Sequence, residues 1–117
     1  MKKQNFIDEK APQLAHYGKA FLCQQIDYNE VKMYLWDTLE EWQQFNFQGE
    51  TQSESDIETV FWHLLYSFEK WPAWAIRGNK VLRKQIKECC EFLSGNGAVP
   101  KGVIGVSPET AELHRVG

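Results

Sequence analysis

The residues of this 117-residue chain that could carry chemistry are a carboxylate pair, three histidines and three cysteines. Asp37 and Glu41 stand four residues apart, a spacing that puts both carboxylates on one side of a helix, where they could share a proton or a cation. Bundle proteins that bind metal in this way add Glu-x-x-His motifs from several helices, and this sequence contains none. We therefore expect neither a metal site nor a cofactor.

The remaining candidates for catalysis also lack the required spacing. No second His or Cys stands three or four residues from any of the histidines, which are His16, His63 and His114. The cysteines form neither a zinc motif nor a disulfide framework, because their number is odd and two are adjacent: Cys23, Cys89 and Cys90. The Ser-Gly-Asn-Gly run at 94–97 follows a helix instead of opening one, so it lacks the amide-lined helix N-terminus that binds phosphate. The sequence predicts a protein that is not an enzyme.

Acidic and aromatic residues are concentrated in the middle of the chain. Ten of the sixteen carboxylates lie between Asp27 and Glu69, where the only Lys or Arg is Lys32, and Tyr, Trp and Phe are interspersed among them. Carboxylates steer and orient a basic partner, while large rigid aromatic side chains supply contact area at low entropic cost. This composition predicts a face that binds a basic protein.

The third quarter of the chain is basic. From Lys70 to Lys101 there are seven basic residues and two acidic ones, Glu88 and Glu91. The acidic and basic segments could pair within the fold, or they could present two separate surfaces. The net charge of −3 makes nucleic acid an improbable main partner, although a basic stripe on one helix keeps that alternative open: Lys80, Arg83, Lys84 and Lys87.

Helical periodicity dominates the sequence, and strand alternation is nearly absent. We predict an all-α fold, a small four-helix-type bundle that forms a single domain over 1–117. The first helix should begin near Ala11 with Pro12 in its first turn, and Gly18 could let another helix approach closely. The second helix should run from an N-cap at Asn29 to about Phe45.

The third helix should begin after Ser55, with Glu58 completing a capping box, and the run Trp71-Pro72-Ala73-Trp74 should either end it or kink it. The fourth should run from about Asn79 to Leu93 and stop at the glycines of 94–97. We expect residues 98–117 to form an extended, Gly- and Pro-containing tail packed on the bundle. No apolar run approaches the roughly 20 residues that span a bilayer, and no signal peptide is evident, so we expect a cytoplasmic protein without a membrane partner.

The second and third helices divide into core and partner-facing sides at 100° per residue. The core set of the second helix is Val31, Leu35, Thr38, Trp42 and Phe45, and that of the third is Ile57, Val60, Phe61, Leu64, Leu65 and Phe68. A methionine and a tryptophan on an otherwise acidic face are unusual for a surface that meets only water. The predicted partner-binding residues are Met33, Trp36, Asp37, Glu40, Glu41, Gln44, Trp62 and Tyr66.

Two alternatives stay open for these aromatic residues. Trp62 and Tyr66 lie on the reverse side of the third helix, where they could be buried at the centre of the bundle or belong to a binding platform. Trp36 could be covered by a partner or by the C-terminal tail.

The stretch 20–31, Ala-Phe-Leu-Cys-Gln-Gln-Ile-Asp-Tyr-Asn-Glu-Val, is a helix end, a short polar turn and the start of an acidic helix. It resembles the opening of the small helical immunity proteins that accompany colicin-type and contact-dependent growth-inhibition toxins. The resemblance spans Leu14 to Phe68 and lies in size, acidity and helical layout. It implies a bacterial cytoplasmic protein that neutralises a cognate toxin domain, often a nuclease, by direct binding. The alternative from another class is an adaptor or subunit whose aromatic surface is buried in an oligomer of unknown size.

Overall fold

The computed structural model describes residues 3–44 and 55–103. Over these residues the chain forms helices and no strand, which confirms the all-α prediction. The helices are α1 (Lys3–Leu22), α2 (Tyr28–Gln44), α3 (Asp56–Lys70), α4 (Ala73–Gly78) and α5 (Lys80–Leu93).

Helix α1 is longer than predicted. It begins at Lys3 instead of near Ala11, so Pro12 lies inside the helix and not in its first turn. The added turns bury Phe6 and Ile7 almost completely, and the ring of Phe6 packs edge-on against Trp42 with centroids 5.3 Å apart. Burial of these two apolar side chains offsets the backbone hydrogen bond that proline cannot donate.

The predicted starts of the later helices are confirmed at α3 and α5. The Ser55 side chain accepts a hydrogen bond from the Glu58 N–H and caps α3. Asn79 caps α5 in the same way, accepting from the Leu82 N–H at 3.0 Å. At α2 the prediction is wrong by two residues, because the helix already begins at Tyr28 and the predicted cap, Asn29, lies within its first turn.

The short helix α4 was not predicted. As expected, α3 ends at Trp71, whose N–H donates to the Ser67 carbonyl, and Pro72 follows. The chain then re-enters a helix of six residues that is held against the core by Ile76, which is fully buried. A helix of six residues with one buried side chain is too short to show a helical repeat of apolar residues in the sequence.

Helix α1 is the central element and packs against α2, α3 and α5. Its close approach to α5 occurs at Gly18, as predicted. A Cβ atom at Gly18 would lie 2.5 Å from Cys90 Sγ and 3.3 Å from Phe68 Cζ. Only glycine therefore allows the two helices to lie at this separation.

The predicted core is confirmed with one exception among the residues described. Val31, Leu35, Thr38 and Trp42 are buried, as is the apolar stripe of α3. The exception is Ile57, which is 37% exposed because it lies in the first turn of its helix, and Phe45 lies outside the described residues.

Two adjacent cysteines of α5 extend this core. Cys89 and Cys90 are both fully buried. Burial raises the pKa of each thiol to about 12, so both stay protonated at neutral pH. Buried protonated thiols are poor nucleophiles and poor metal ligands.

The chain beyond α5 turns back onto the bundle. Gly95 adopts a left-handed conformation (φ +88°) and ends the helix, as predicted. Pro100 is buried, Val103 packs against the core, and Gln85 Nε2 donates to the Lys101 carbonyl at 3.4 Å. The rest of the predicted tail, residues 104–117, lies outside the described part of the chain. Among the described helices none is long and apolar enough to cross a membrane.

The contact at Gly18 predicts that alanine at this position destabilises the protein, which is the opposite of what helix propensity predicts. Gly18→Ala should lower the free energy of unfolding by about 1 to 3 kcal/mol, because the new methyl group would collide with Cys90 Sγ. Helix propensity alone predicts a gain of about 1 kcal/mol for the same change. Urea unfolding followed by circular dichroism measures the difference. Gly78→Ala is the control, since no atom lies within 4 Å of its Cβ position. A stabilised Gly18→Ala variant would show that the two helices do not approach this closely.

Candidate functional site

The predicted partner-binding face lies mainly on α2, whose first turn is held to the last turn of α3. The Tyr28 hydroxyl lies within hydrogen-bonding distance of the carbonyl oxygens of Phe68 and Trp71, and it can donate to one of them at a time. Lys32 Nζ lies 5.2 Å from the centroid of the Tyr28 ring and donates to the Glu69 carbonyl at 3.3 Å. Two side chains of α2 thus satisfy carbonyl groups that the end of α3 leaves without helical partners.

The middle of α2 is held to α1 by an aromatic stack and a hydrogen bond. The rings of Tyr17 and Tyr34 are stacked, with centroids 4.5 Å apart and an interplanar angle of 22°. The Tyr34 hydroxyl donates to the Lys10 carbonyl at 3.1 Å, and burial raises the pKa of Tyr34. A neutral, well-packed tyrosine at this position fixes how far α2 can rotate about its axis.

Near the end of α2 an ion pair completes the attachment. Lys10 Nζ lies 3.0 Å from each carboxylate oxygen of Glu41, and the Lys10 side chain is only 10% exposed. Glu41 was predicted to bind the partner. Its side chain is 46% exposed and is paired with a nearly buried ammonium group, so the carboxylate also positions α2.

The outward side of α2 carries an exposed tryptophan and methionine surrounded by carboxylates. Met33 is 65% and Trp36 60% exposed, which are high fractions for large apolar side chains. We call this surface the acidic face, and it consists of Glu30, Met33, Trp36, Asp37, Glu40 and Gln44, all of them exposed. Its three carboxylates form no ion pair with any other described residue. The structure therefore brings together five of the eight predicted site residues.

A groove borders the acidic face on the side of α1. It has a volume of about 530 Å³ and is lined from α1 by residues that include Gln13, His16 and Lys10, whose ammonium group is paired with Glu41, and from α2 by Asp37, Thr38 and Glu41. A partner's long side chain could enter it, and a cation there would meet the carboxylate of Asp37. The contribution of α1 was not predicted, because the packing of α1 beside this part of α2 is a contact between distant segments that helical periodicity does not reveal.

Trp62 was predicted to bind the partner, and the structure places it in the core instead. It has no exposed surface, and its ring packs edge-on against Trp42 and Phe61 with centroids 4.8 and 4.9 Å away. Tyr66 is partly buried and packs against the same core. Of the two alternatives for the reverse side of α3, burial at the centre of the bundle is thus the correct one for Trp62, and we exclude it from the site.

The candidates for catalysis remain apart. Over residues 3–44 and 55–103, no three His, Cys, Asp or Glu side chains lie close enough together to hold a metal ion. His63 Nε2 lies 3.0 Å from Gln85 Oε1, a contact that joins α3 to α5. His16 lies on the exposed surface of α1, and His114 lies outside the described residues.

Comparison with known proteins adds no relative. No protein-family model, no curated protein and no solved structure matches this chain. A functional assignment must therefore be argued from the acidic face and its surroundings.

The anchoring tyrosine of α2 predicts a pH dependence of stability. Burial raises the pKa of Tyr28 to about 12 from its ordinary value of 10.0, so the folded protein holds the phenolic proton more tightly than the unfolded chain does. The resulting stabilisation is complete below pH 10 and is lost as the pH rises through about 12.

Tyr28→Phe should accordingly lower the free energy of unfolding by about 1 kcal/mol at neutral pH, the usual net value of one hydrogen bond. Because only the wild type loses this contribution in alkali, the two curves of stability against pH should converge as the pH approaches about 12. Urea unfolding at a series of pH values measures both curves. Parallel curves would mean that the Tyr28 hydroxyl gains nothing from its contact with α3.

The ion pair of α1 and α2 predicts a difference between two neighbouring glutamates. Glu41→Gln should lower the free energy of unfolding by on the order of 1 to 3 kcal/mol, because it leaves the nearly buried Lys10 ammonium without its carboxylate. Glu40→Gln removes the same charge from an exposed neighbour and should change stability by less than about 0.5 kcal/mol. Thermal and urea unfolding of both variants test this. Equal effects would contradict the assignment of Glu41 to positioning.

Proposed function

We propose that this chain is a non-enzymatic inhibitor that binds a basic protein through the acidic face of α2. The partner that best suits this chemistry is a bacterial toxin domain, plausibly a nuclease, which would make the chain an immunity protein of the bacterial cytoplasm. The observation that carries the proposal is the exposed pair Met33 and Trp36 on a face whose carboxylates form no ion pair within the described part of the chain.

The apolar pair supplies the energetic part of the argument. Tryptophan is among the residues that most often dominate binding energy at interfaces, and methionine adapts its shape to a partner. Trp36 is not needed by the core of α2, which is formed by Val31, Leu35 and Trp42 on the opposite side. A large apolar side chain that the fold does not require is best explained by an intermolecular contact.

The carboxylates supply orientation and choice of partner. Glu30, Asp37 and Glu40 surround the apolar pair, and Glu40 lies near the C-terminal end of α2, where the helix dipole adds negative potential. The cleft of a nuclease is built to hold phosphate groups, so a rigid array of carboxylates can occupy it in place of the polyanionic substrate. The groove beside Asp37 would accept a lysine or arginine side chain from the rim of such a cleft.

Truncation of Trp36 tests the proposal directly. We expect a toxin domain to be encoded beside the gene of this chain. Binding to that domain should weaken by about 2 kcal/mol or more in Trp36→Ala, the range of an interface hot spot, while the melting temperature stays unchanged. Trp74→Ala is the matched control, because it removes an even more exposed tryptophan (79%) that lies on α4 and outside the acidic face. Isothermal calorimetry and thermal unfolding on the same samples provide the two readouts.

Charge reversal separates steering from contact in the same experiment. Asp37→Lys with Glu40→Lys should slow association and flatten its dependence on salt, with a smaller effect on dissociation, because charges at the rim of an interface act chiefly through steering. If Trp36→Ala lowers the melting temperature and leaves affinity unchanged, the residue is covered within the chain and the site lies elsewhere. If no toxin domain binds while the fold is intact, the proposed function is wrong.

A further inference from the structure

A second surface of the molecule has the opposite charge and the same apolar character. Between positions 70 and 87 the chain carries six basic residues and no acidic one. Trp74 on α4 is 79% exposed and Val81 on α5 is 80% exposed. Helices α4 and α5 pack together and only Asn79 separates them, so the exposed side chains of α4 and of the first two turns of α5 lie on neighbouring parts of the surface. We call it the basic surface, and it consists of Trp74, Lys80, Val81, Lys84 and Lys87.

In the described part of the chain the lysines of this surface are unpaired, although Glu88 and Glu91 follow Lys84 and Lys87 at a spacing of four residues on the same helix. Lys80 and Lys84 lie four residues apart at the start of α5, where like charges repel and the helix dipole is also positive. The first turn of α5 contains no acidic residue that would relieve this. Contact with an anionic partner would relieve this repulsion.

The acidic face presents the complementary arrangement. It carries two of the most exposed large apolar side chains, Met33 and Trp36, and the basic surface carries the other two, Trp74 and Val81. Its carboxylates are likewise unneutralised, and α2 has no basic residue in its last turn. The two surfaces therefore have opposite charges, and each exposes two large apolar side chains that a contact could bury.

We propose that the acidic face of one copy of this chain binds the basic surface of a second copy, head to tail. A second copy is the one partner that explains both surfaces at once, and it fits a net charge of −3, which disfavours DNA, RNA or an anionic membrane as the ligand of the basic surface. Because the two surfaces differ, the contact is heterologous and joins copies into an open chain or a ring. Two apolar side chains from each copy are few for a permanent interface, so the association is weak and depends on concentration.

This inference deepens the proposed function, since it uses the same acidic face, but it does not depend on the identity of the toxin. A toxin domain and a second copy would compete for Trp36 and its carboxylates. Self-association would hold the acidic face covered in the absence of toxin. Trp36→Ala would then weaken both contacts, whereas a change at the basic surface would weaken self-association alone.

Complementation between two variants tests the head-to-tail contact. The first variant, Trp36→Ala with Glu40→Lys, keeps only the basic surface, and the second, Trp74→Ala with Lys84→Glu, keeps only the acidic face. Sedimentation velocity at low ionic strength should show that the wild type grows with concentration beyond twice the mass of the 13.7 kDa chain. Each variant alone should associate at least roughly tenfold more weakly and remain monomeric. An equimolar mixture of the two should form a dimer and nothing larger, because only one intact pair of surfaces is left.

The alternatives give different results. All changed positions are exposed, and circular dichroism of each variant checks the fold.

Added salt should dissociate the wild-type assembly, since its charges lie at the surface. A wild type that stays monomeric overturns the proposal, and so does an assembly that either variant forms alone or a mixture that stays monomeric. A monomeric wild type that binds an oligonucleotide or anionic vesicles through Trp74 and Lys84 would assign the basic surface to those ligands instead. Loss of toxin binding in the second variant would contradict the proposed function and not this one.

Discussion

The close approach of α1 to α5 at Gly18 is the constraint on which the arrangement of the helices depends. A Cβ atom at this position would meet Cys90 Sγ at 2.5 Å, so any other residue would push the two helices apart. The separation of α1 and α5 also sets the space available to α3, because Phe68 closes the same contact from that helix. The relative positions of α1, α3 and α5 thus depend on the absence of a side chain at Gly18.

Helix α2 packs on this central helix and on α3 through its buried side chains Val31, Leu35 and Trp42. It meets α1 through the stacked rings of Tyr17 and Tyr34 and through the ion pair of Lys10 and Glu41, and it meets α3 through Tyr28. These contacts leave its outer side free of packing and decide which residues lie there. The exposure of Trp36 is therefore a consequence of contacts made on the other sides of α2.

Most helix positions could be predicted from the sequence, because they follow from patterns of neighbouring residues. The periodicity of α2, α3 and α5, the cap at Ser55 and the stop at the glycines of 94–97 each reflect interactions within a few residues, and each was placed within two residues of its observed position. The start of α1 was missed because Pro12 is most often found in a first turn, whereas here the distant contact of Phe6 with Trp42 carries the helix through it.

The site shows the same division between local and distant causes. Met33, Trp36, Asp37 and Glu40 were found because the helical angle alone places them opposite the core of α2. The helical angle of Trp62 did not predict its burial, because a side chain that points away from the main core side of its own helix can still be covered by another helix. Here Trp42 of α2 packs over Trp62. The pairing of Glu41 with Lys10 could not be foreseen either, since the turns of α1 that contain Lys10 were not recognised.

The separation of charge along this chain is not resolved by its own fold. An acidic middle and a basic third quarter could have faced each other across the bundle, and opposite charges so placed would have stabilised it modestly. Instead the described structure directs Glu30, Asp37 and Glu40 outward from α2, and Lys80, Lys84 and Lys87 outward from α5. Lys80 lies in the first turn of α5, where the helix dipole has the same sign as its charge, which adds a further small cost. A fold that leaves both costs in place, and exposes two large apolar side chains beside each cluster, has surfaces whose free energy is lowered by contact with another molecule. This holds whether that molecule is a toxin or a second copy of the chain.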